Sequence, residues 1–163
     1  MSRLDSMIRR LEAQRSTLND AAARVEGRSG IALEFGLGNG RTYDHLRAIL
    51  PGREIYVFDR QVAAHPDCIP PDDRLYLGDL FETLPRAAAE LGGTAVLAHL
   101  DIGTGDKEES VALSRRAAPM VADLLAPGGV VVSDQPLDGV DAFSPLPLPQ
   151  GVKPGRIYLY ERV

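Results

Sequence analysis

Leu4, Leu11, Leu18 and Val25 recur every seven residues. Met7/Ile8 and Ala21/Ala22 fill the second position of the first and third heptads. This spacing predicts one long amphipathic helix over residues 3–25. Gln14-Arg15 stands at the second position of the middle heptad, so the apolar stripe narrows at its centre. A stripe of this kind packs a helix on its own domain or, as a seven-residue repeat, against a second copy.

Downstream, the pattern changes to short apolar runs alternating with helix-like runs. The strand-like runs are 31–35, 54–58, 74–77, 94–101, 129–134 and 156–161, and helices fit at 40–50, 80–91 and 107–125. Ile55-Tyr56-Val57-Phe58 and Val130-Val131-Val132 are continuously apolar, as strands buried on both faces are. The alternation predicts a mostly parallel sheet covered by helices. Pro51-Gly52 stops the second helix, Asp106 with Glu109 reads as a capping box, and Pro119 predicts a kink. Pro127-Gly128-Gly129 reads as a turn into the next strand. Prolines crowd the segment after Asp134, which predicts an extended run over the surface before a last strand at Ile157–Tyr160.

Composition narrows the partners. The 163 residues are 44% hydrophobic and carry a net charge of −5, with no run of Lys or Arg. That suits one domain, residues 1–163, and disfavours nucleic acid or an anionic membrane as partner. No apolar run approaches the roughly 20 residues of a membrane span. Cys68 is the sole cysteine, so there is no internal disulfide or thiolate cluster. Met1–Asp5 lacks a signal-peptide core, and the expected location is the cytoplasm.

The chemistry gathers at strand ends. Glu34, Asp59, Asp79, Asp101 and Asp134 each end or closely follow a predicted strand, where doubly wound sheets bind ligands. After Glu34-Phe35 come Gly36, Gly38 and Gly40, alternate glycines at a strand-to-helix turn. Such a turn lets backbone approach a ligand, with helix N–H groups behind it. A dinucleotide fingerprint wants its third glycine at 41, where this chain has Arg41, and Glu34 would repel a phosphate. Glu34 would instead attract an ammonium group. Asp59, 19 residues after Gly40, suits a ribose diol.

These residues resemble a known family. Glu34-Phe35-Gly36-Leu37-Gly38-Asn39-Gly40 is similar to the first motif of class I S-adenosylmethionine-dependent methyltransferases. Asp59 matches their ribose acid, Gly78-Asp79-Leu80 their adenine-side loop, and Leu124–Gly129 their lead into the fifth strand. The resemblance spans residues 30–135, between an N-terminal helix, 1–28, and a proline-rich segment with the last strand, 136–163. It implies a Rossmann-like three-layer α/β sandwich of six to seven strands, the C-terminal one antiparallel.

It implies, too, that Glu34, Gly36 and Gly38 cradle the methionine end, with Phe35, Asn39 and Gly40 in the same loop. Asp59 would hold the ribose with Arg60 beside it, Asp79 and Leu80 would face the adenine after Gly78, and Asp101 would lie near the methyl. Asp101 with Asp134-Gln135 resembles the Mg²⁺ site of small-molecule O-methyltransferases, with Gln135 where they have Asn. His99 shares a sheet face with Asp101, as a core histidine or a general base.

Methyl transfer requires little beyond positioning of the acceptor. The expected function is transfer of a methyl group from S-adenosylmethionine to the oxygen or nitrogen of a small molecule, by a homodimer or higher homo-oligomer. The alternatives are a non-catalytic S-adenosylmethionine-binding module and a nicotinamide-dependent oxidoreductase.

Overall fold

The computed structural model describes residues 1–163. Four helices, α1 Arg3–Arg24, α2 Arg41–Ile49, α3 Leu80–Leu91 and α4 Lys107–Leu124, accompany seven strands. The strands are β1 Ile31–Phe35, β2 Ile55–Asp59, β3 Leu75–Leu77, β4 Ala95–Leu100, β5 Leu125–Ser133, β6 Phe143–Pro145 and β7 Tyr158–Arg162. They form one sheet in the order β3-β2-β1-β4-β5-β7-β6. The pairings from β3 to β5 are parallel, and β7 runs antiparallel to both its neighbours. The fold is thus the expected α/β sandwich. The strand order reverses between β1 and β4, which opens a crevice at their carboxyl ends.

Two cores lie on the two sheet faces. Leu33, Phe35, Ala98 and Leu100 pack with α3 and α4, through Leu84, Ala117 and Val121. Ala32 and Leu97 pack on the other face with α1 and α2, through Leu18, Ala21 and Leu46. Strand alternation therefore turns Glu34 and His99 to the α1/α2 face. Both are polar residues inside an apolar layer. Phe35, Phe58 and Tyr76 stack across β1, β2 and β3, with centroids 4.4 and 4.8 Å apart.

α1 begins at a capping box between Ser2 and Asp5. Its apolar stripe is only half used. Leu18, Ala21 and Val25 are buried, whereas Leu4 is 69% and Met7 and Ile8 are 45% exposed. The C-terminal half packs into the core on one sheet face, whereas the first two turns are exposed. Leu18→Ala should therefore cost about 2–5 kcal/mol, and Leu4→Gln under about 0.5 kcal/mol, in urea unfolding. Equal losses would refute this division of the helix.

Three local expectations are corrected. Pro127-Gly128-Gly129 is not a turn ahead of the strand but a bulge inside β5: Ala95 pairs with Leu125, and Leu97 with Val130. Arg28 donates to the carbonyls of Gly128 at 2.7 Å and Pro127 at 3.3 Å, which satisfies the bulged backbone. The proline-rich segment is not simply extended: it contains β6, an edge strand where Pro145 is tolerated. Asp106 caps α4 by accepting the Glu109 N–H at 2.9 Å, but the Glu109 carboxylate meets Thr104 rather than closing a box. α4 continues through Pro119. No helix is long and apolar enough to cross a membrane.

Candidate active site

At the carboxyl ends of the central strands lies a cleft of about 560 Å³. That is the size of a small-molecule or cofactor site. The glycine loop forms one wall, and each glycine has its own reason. At Gly36, with φ +90°, a Cβ would stand 2.1 Å from the Asp101 carbonyl oxygen, so β1 and β4 approach too closely for a side chain. At Gly38, φ +52°, a Cβ would meet nothing within 4 Å, and the residue borders the cleft. Its missing side chain leaves room for a ligand. Gly40 rests against Cys68 and begins α2, where Asn39 Oδ1 accepts the Arg41 N–H at 3.1 Å.

Asp59 is fixed by this loop. Its Oδ2 accepts the N–H groups of Leu37 at 2.8 Å and Gly38 at 3.2 Å, and its Oδ1 that of Arg60 at 2.6 Å. Oδ1 also takes a long bond from the Gln61 N–H at 3.4 Å, and the carboxylate borders the cleft and is only partly buried. Asp79 caps α3 through the Phe81 N–H at 2.8 Å and lies 3.5 Å from Arg60. Gly78, Asp79, Leu80 and Phe58 line the same end of the cleft.

Three of the five strand-end acids, Asp59, Asp79 and Asp101, reach the cleft, and two do not. Glu34 is fully enclosed, with Oε1 bonded to His99 Nδ1 at 2.6 Å and Oε2 without a partner. Register pairs Glu34 with His99 across β1 and β4, so the sheet itself creates the contact. Burial raises the Glu34 pKa despite the opposing charge of His99. For His99, burial acts to lower the pKa, but the Glu34 charge and hydrogen bond, with Asp101 and Asp134 adding, carry it above the ordinary value. Phe35 is also fully buried, behind the loop.

One expectation is therefore corrected: Glu34 is not placed to touch a ligand's ammonium group. Of the two readings of His99, the structure favours the hydrogen-bonded core histidine over the general base, since it is 0% exposed and absent from the cleft wall.

The expected metal ligands do not assemble either. Asp134 is withdrawn behind Gly103, outside the cleft wall, with Oδ1 buried and unpartnered. Burial, then the Asp101 charge, raises its pKa. Gln135 directs its amide nitrogen to Asp134 Oδ2 at 3.2 Å rather than presenting an oxygen donor. No group of three or more His, Cys, Asp or Glu side chains is placed to hold a metal ion. Asp101, Asp134 and Gln135 thus do not fit a divalent cation.

The residues of the other wall were not among the expected site residues. α1 contributes Arg10, Leu11 and Gln14, and the segment after β4 contributes Ile102, Gly103 and Thr104. Gln14 Nε2 donates to Asp101 Oδ2 at 3.3 Å and lies 3.4 Å from His99 Nε2. The available signal was the polar pair interrupting the apolar stripe of α1.

The glycine wall, the open side at Gly38 and the partly exposed Asp59 carboxylate at the cleft wall together fit S-adenosylmethionine. A family model described as S-adenosyl-L-methionine methyltransferase matches residues 1–162. The crystal structure of an S-adenosyl-L-methionine methyl transferase from Silicibacter pomeroyi DSS-3 is similar over 100% of this chain and 99% of its own, at 45% identity and a TM-score of 0.94. More distant structures share the fold. The antibiotic-resistance methyltransferase Kmr matches at 13% identity and TM-score 0.57, over 90% of this chain and 94% of its own. TrmN from Thermus thermophilus matches at 20% identity and TM-score 0.59, over 90% and 48%. No curated protein matches the sequence. The chain belongs to the S-adenosyl-L-methionine methyltransferase family and is an S-adenosylmethionine-dependent methyltransferase.

Proposed function

We propose that the cleft at the β1/β4 crossover binds S-adenosylmethionine and a small-molecule acceptor together, with methylation at an oxygen or nitrogen. The observation that carries this is Gly38: it borders the cleft, and the space where its side chain would stand is open. Gly36, Gly38, Asn39 and Gly40 cradle the methionine end. Asp59 receives the ribose hydroxyls with Arg60 beside it, and Gly78, Asp79, Leu80 and Phe58 hold the adenine. Asp101 lies beside the reacting end, opposite the wall formed by Leu11 and Gln14. The bound cofactor supplies the activated methyl group, and the residues supply position and exclusion of water.

A cleft of about 560 Å³ and a net charge of −5 favour a small acceptor over a nucleic acid. In this proposal residues 1–163 form one cytoplasmic domain. The exposed Leu4, Met7 and Ile8 of α1 support pairing of two copies.

Gly38→Leu tests the site. Its left-handed φ costs about 1–2 kcal/mol, which a folded protein tolerates, while its side chain enters the cleft. Calorimetry should show S-adenosylmethionine affinity falling at least about a hundredfold. Binding equal to that of the original protein would place the cofactor elsewhere.

A further inference from the structure

We propose that Gln14 is a positioning residue for methyl transfer, acting through its side-chain amide on the Asp101 carboxylate at the wall of the cleft. Hydrophobic patterning alone asks for an apolar residue at position 14, between Met7/Ile8 and Ala21/Ala22 on the buried stripe of α1. The chain instead buries an amide there, 9% exposed, one turn from the fully buried Leu18. A buried amide in an apolar stripe costs desolvation unless it is bonded, and departures from pattern of this sort gather at functional sites.

Gln14 spends its bonding on the site. Its Nε2 lies 3.3 Å from Asp101 Oδ2 and 3.4 Å from His99 Nε2, and residues 85 and 87 positions along the chain are thereby joined to one helix. His99 is in turn held by Glu34 at 2.6 Å. The result is a chain of contacts, Glu34–His99–Gln14–Asp101, of which Gln14 and Asp101 alone reach the cleft. Its inner end is enclosed between β1 and β4, whose register fixes it. Gln14 therefore transmits a rigid reference from the sheet to a carboxylate that would otherwise be free to turn at the loop after β4.

Packing gives a different expectation. If Gln14 merely secured α1, its loss would act on stability and on every ligand alike, independently of Asp101. A double-mutant cycle on S-adenosylmethionine affinity, read by calorimetry alongside thermal unfolding, separates the two. Gln14→Leu and Asp101→Ala should each weaken binding about tenfold, the scale of one hydrogen bond to a charged group. The double variant should be no weaker than Asp101→Ala alone, and Gln14→Leu should unfold within a few degrees of the original protein. Gln14→Met, similar in size but without N–H donors, should behave as Gln14→Leu, and it serves in the cycle if the leucine variant fails to fold.

Losses that multiply in the double variant, or a Gln14→Met protein with full affinity, would overturn the role of Gln14. The proposal rests on the cleft being the cofactor site. Unchanged binding in Gly38→Leu would overturn that and the role of Gln14 with it, whereas multiplying losses overturn the role alone.

Discussion

Gly36→Val is expected to leave the chain without a stable fold. The added Cβ would lie 2.1 Å from the Asp101 carbonyl oxygen and 3.1 Å from its carbonyl carbon, both backbone atoms. Neither partner is free to retreat. The Asp101 N–H donates to the Phe35 carbonyl at 2.9 Å and the Gly36 N–H to the Phe58 carbonyl at 2.8 Å, so β1, β2 and β4 are tied together at this level. A φ of +90° adds a strained conformation, worth about 1–3 kcal/mol by itself. Relieving the overlap requires β1 and β4 to separate through the centre of the sheet. The combined loss exceeds about 3 kcal/mol, against the roughly 5–15 kcal/mol of a typical domain. Urea unfolding measures it. A midpoint near that of the original protein would show that the two strands have slack where none is visible. Gly38→Leu, two residues on, is the control, since the same loop there faces open space.

The contrast between the two glycines marks what sequence alone conveys. The spacing of Gly36, Gly38 and Gly40 announces a loop that needs bare backbone, and the structure bears that out. It does not say whether the neighbour is a ligand or another strand, because β4 is 60 residues away in the chain. The alternation of helices and strands was legible because strands buried on both faces are apolar throughout. β6 was not: three residues with a proline have no strand signature, and pairing with β7 alone defines them. The bulge in β5 was hidden for a like reason, since Pro-Gly-Gly is turn chemistry wherever it stands, and Arg28 holds it in the sheet.

The acids at the strand ends divide along the same line. Asp59, Asp79 and Asp101 emerge at the cleft from the last position of their strands or beyond, whereas Asp134, also just past its strand, is withdrawn behind Gly103. Glu34 is one residue short of the end of β1, and strand parity sends it inward. Its motif resembles a ligand-binding acid, yet register sets it against His99. Sequence shows which residues carry charge, and pairing decides which of them meets water. Gln14 is the converse case, a residue read as a break in a pattern whose meaning depends on what lies beneath the helix.

His99→Ala should remove about 3–5 kcal/mol of stability at pH 7, because it strips a fully buried carboxylate of its partner. The pH dependence separates this from a simple cavity. In the original protein the folded-state pKa of His99 is raised: burial works against the charge, but Glu34, Asp101 and Asp134 outweigh it. A raised folded pKa means that the stabilisation is complete below the unfolded value of about 6.5 and is lost as pH rises through the folded value. The original protein should therefore lose stability from this pair as pH climbs above about 6.5. In His99→Ala the carboxylate of Glu34 has burial acting on it without the imidazole, so its pKa moves further upward. As pH falls, that carboxyl binds a proton more readily in the folded state than in the unfolded one, and folding is favoured. Urea unfolding at about pH 5.5 and 7 should show the variant gaining stability toward acid. A variant equally stable at both values would reduce His99 to a filler of volume and leave Glu34 without an electrostatic role.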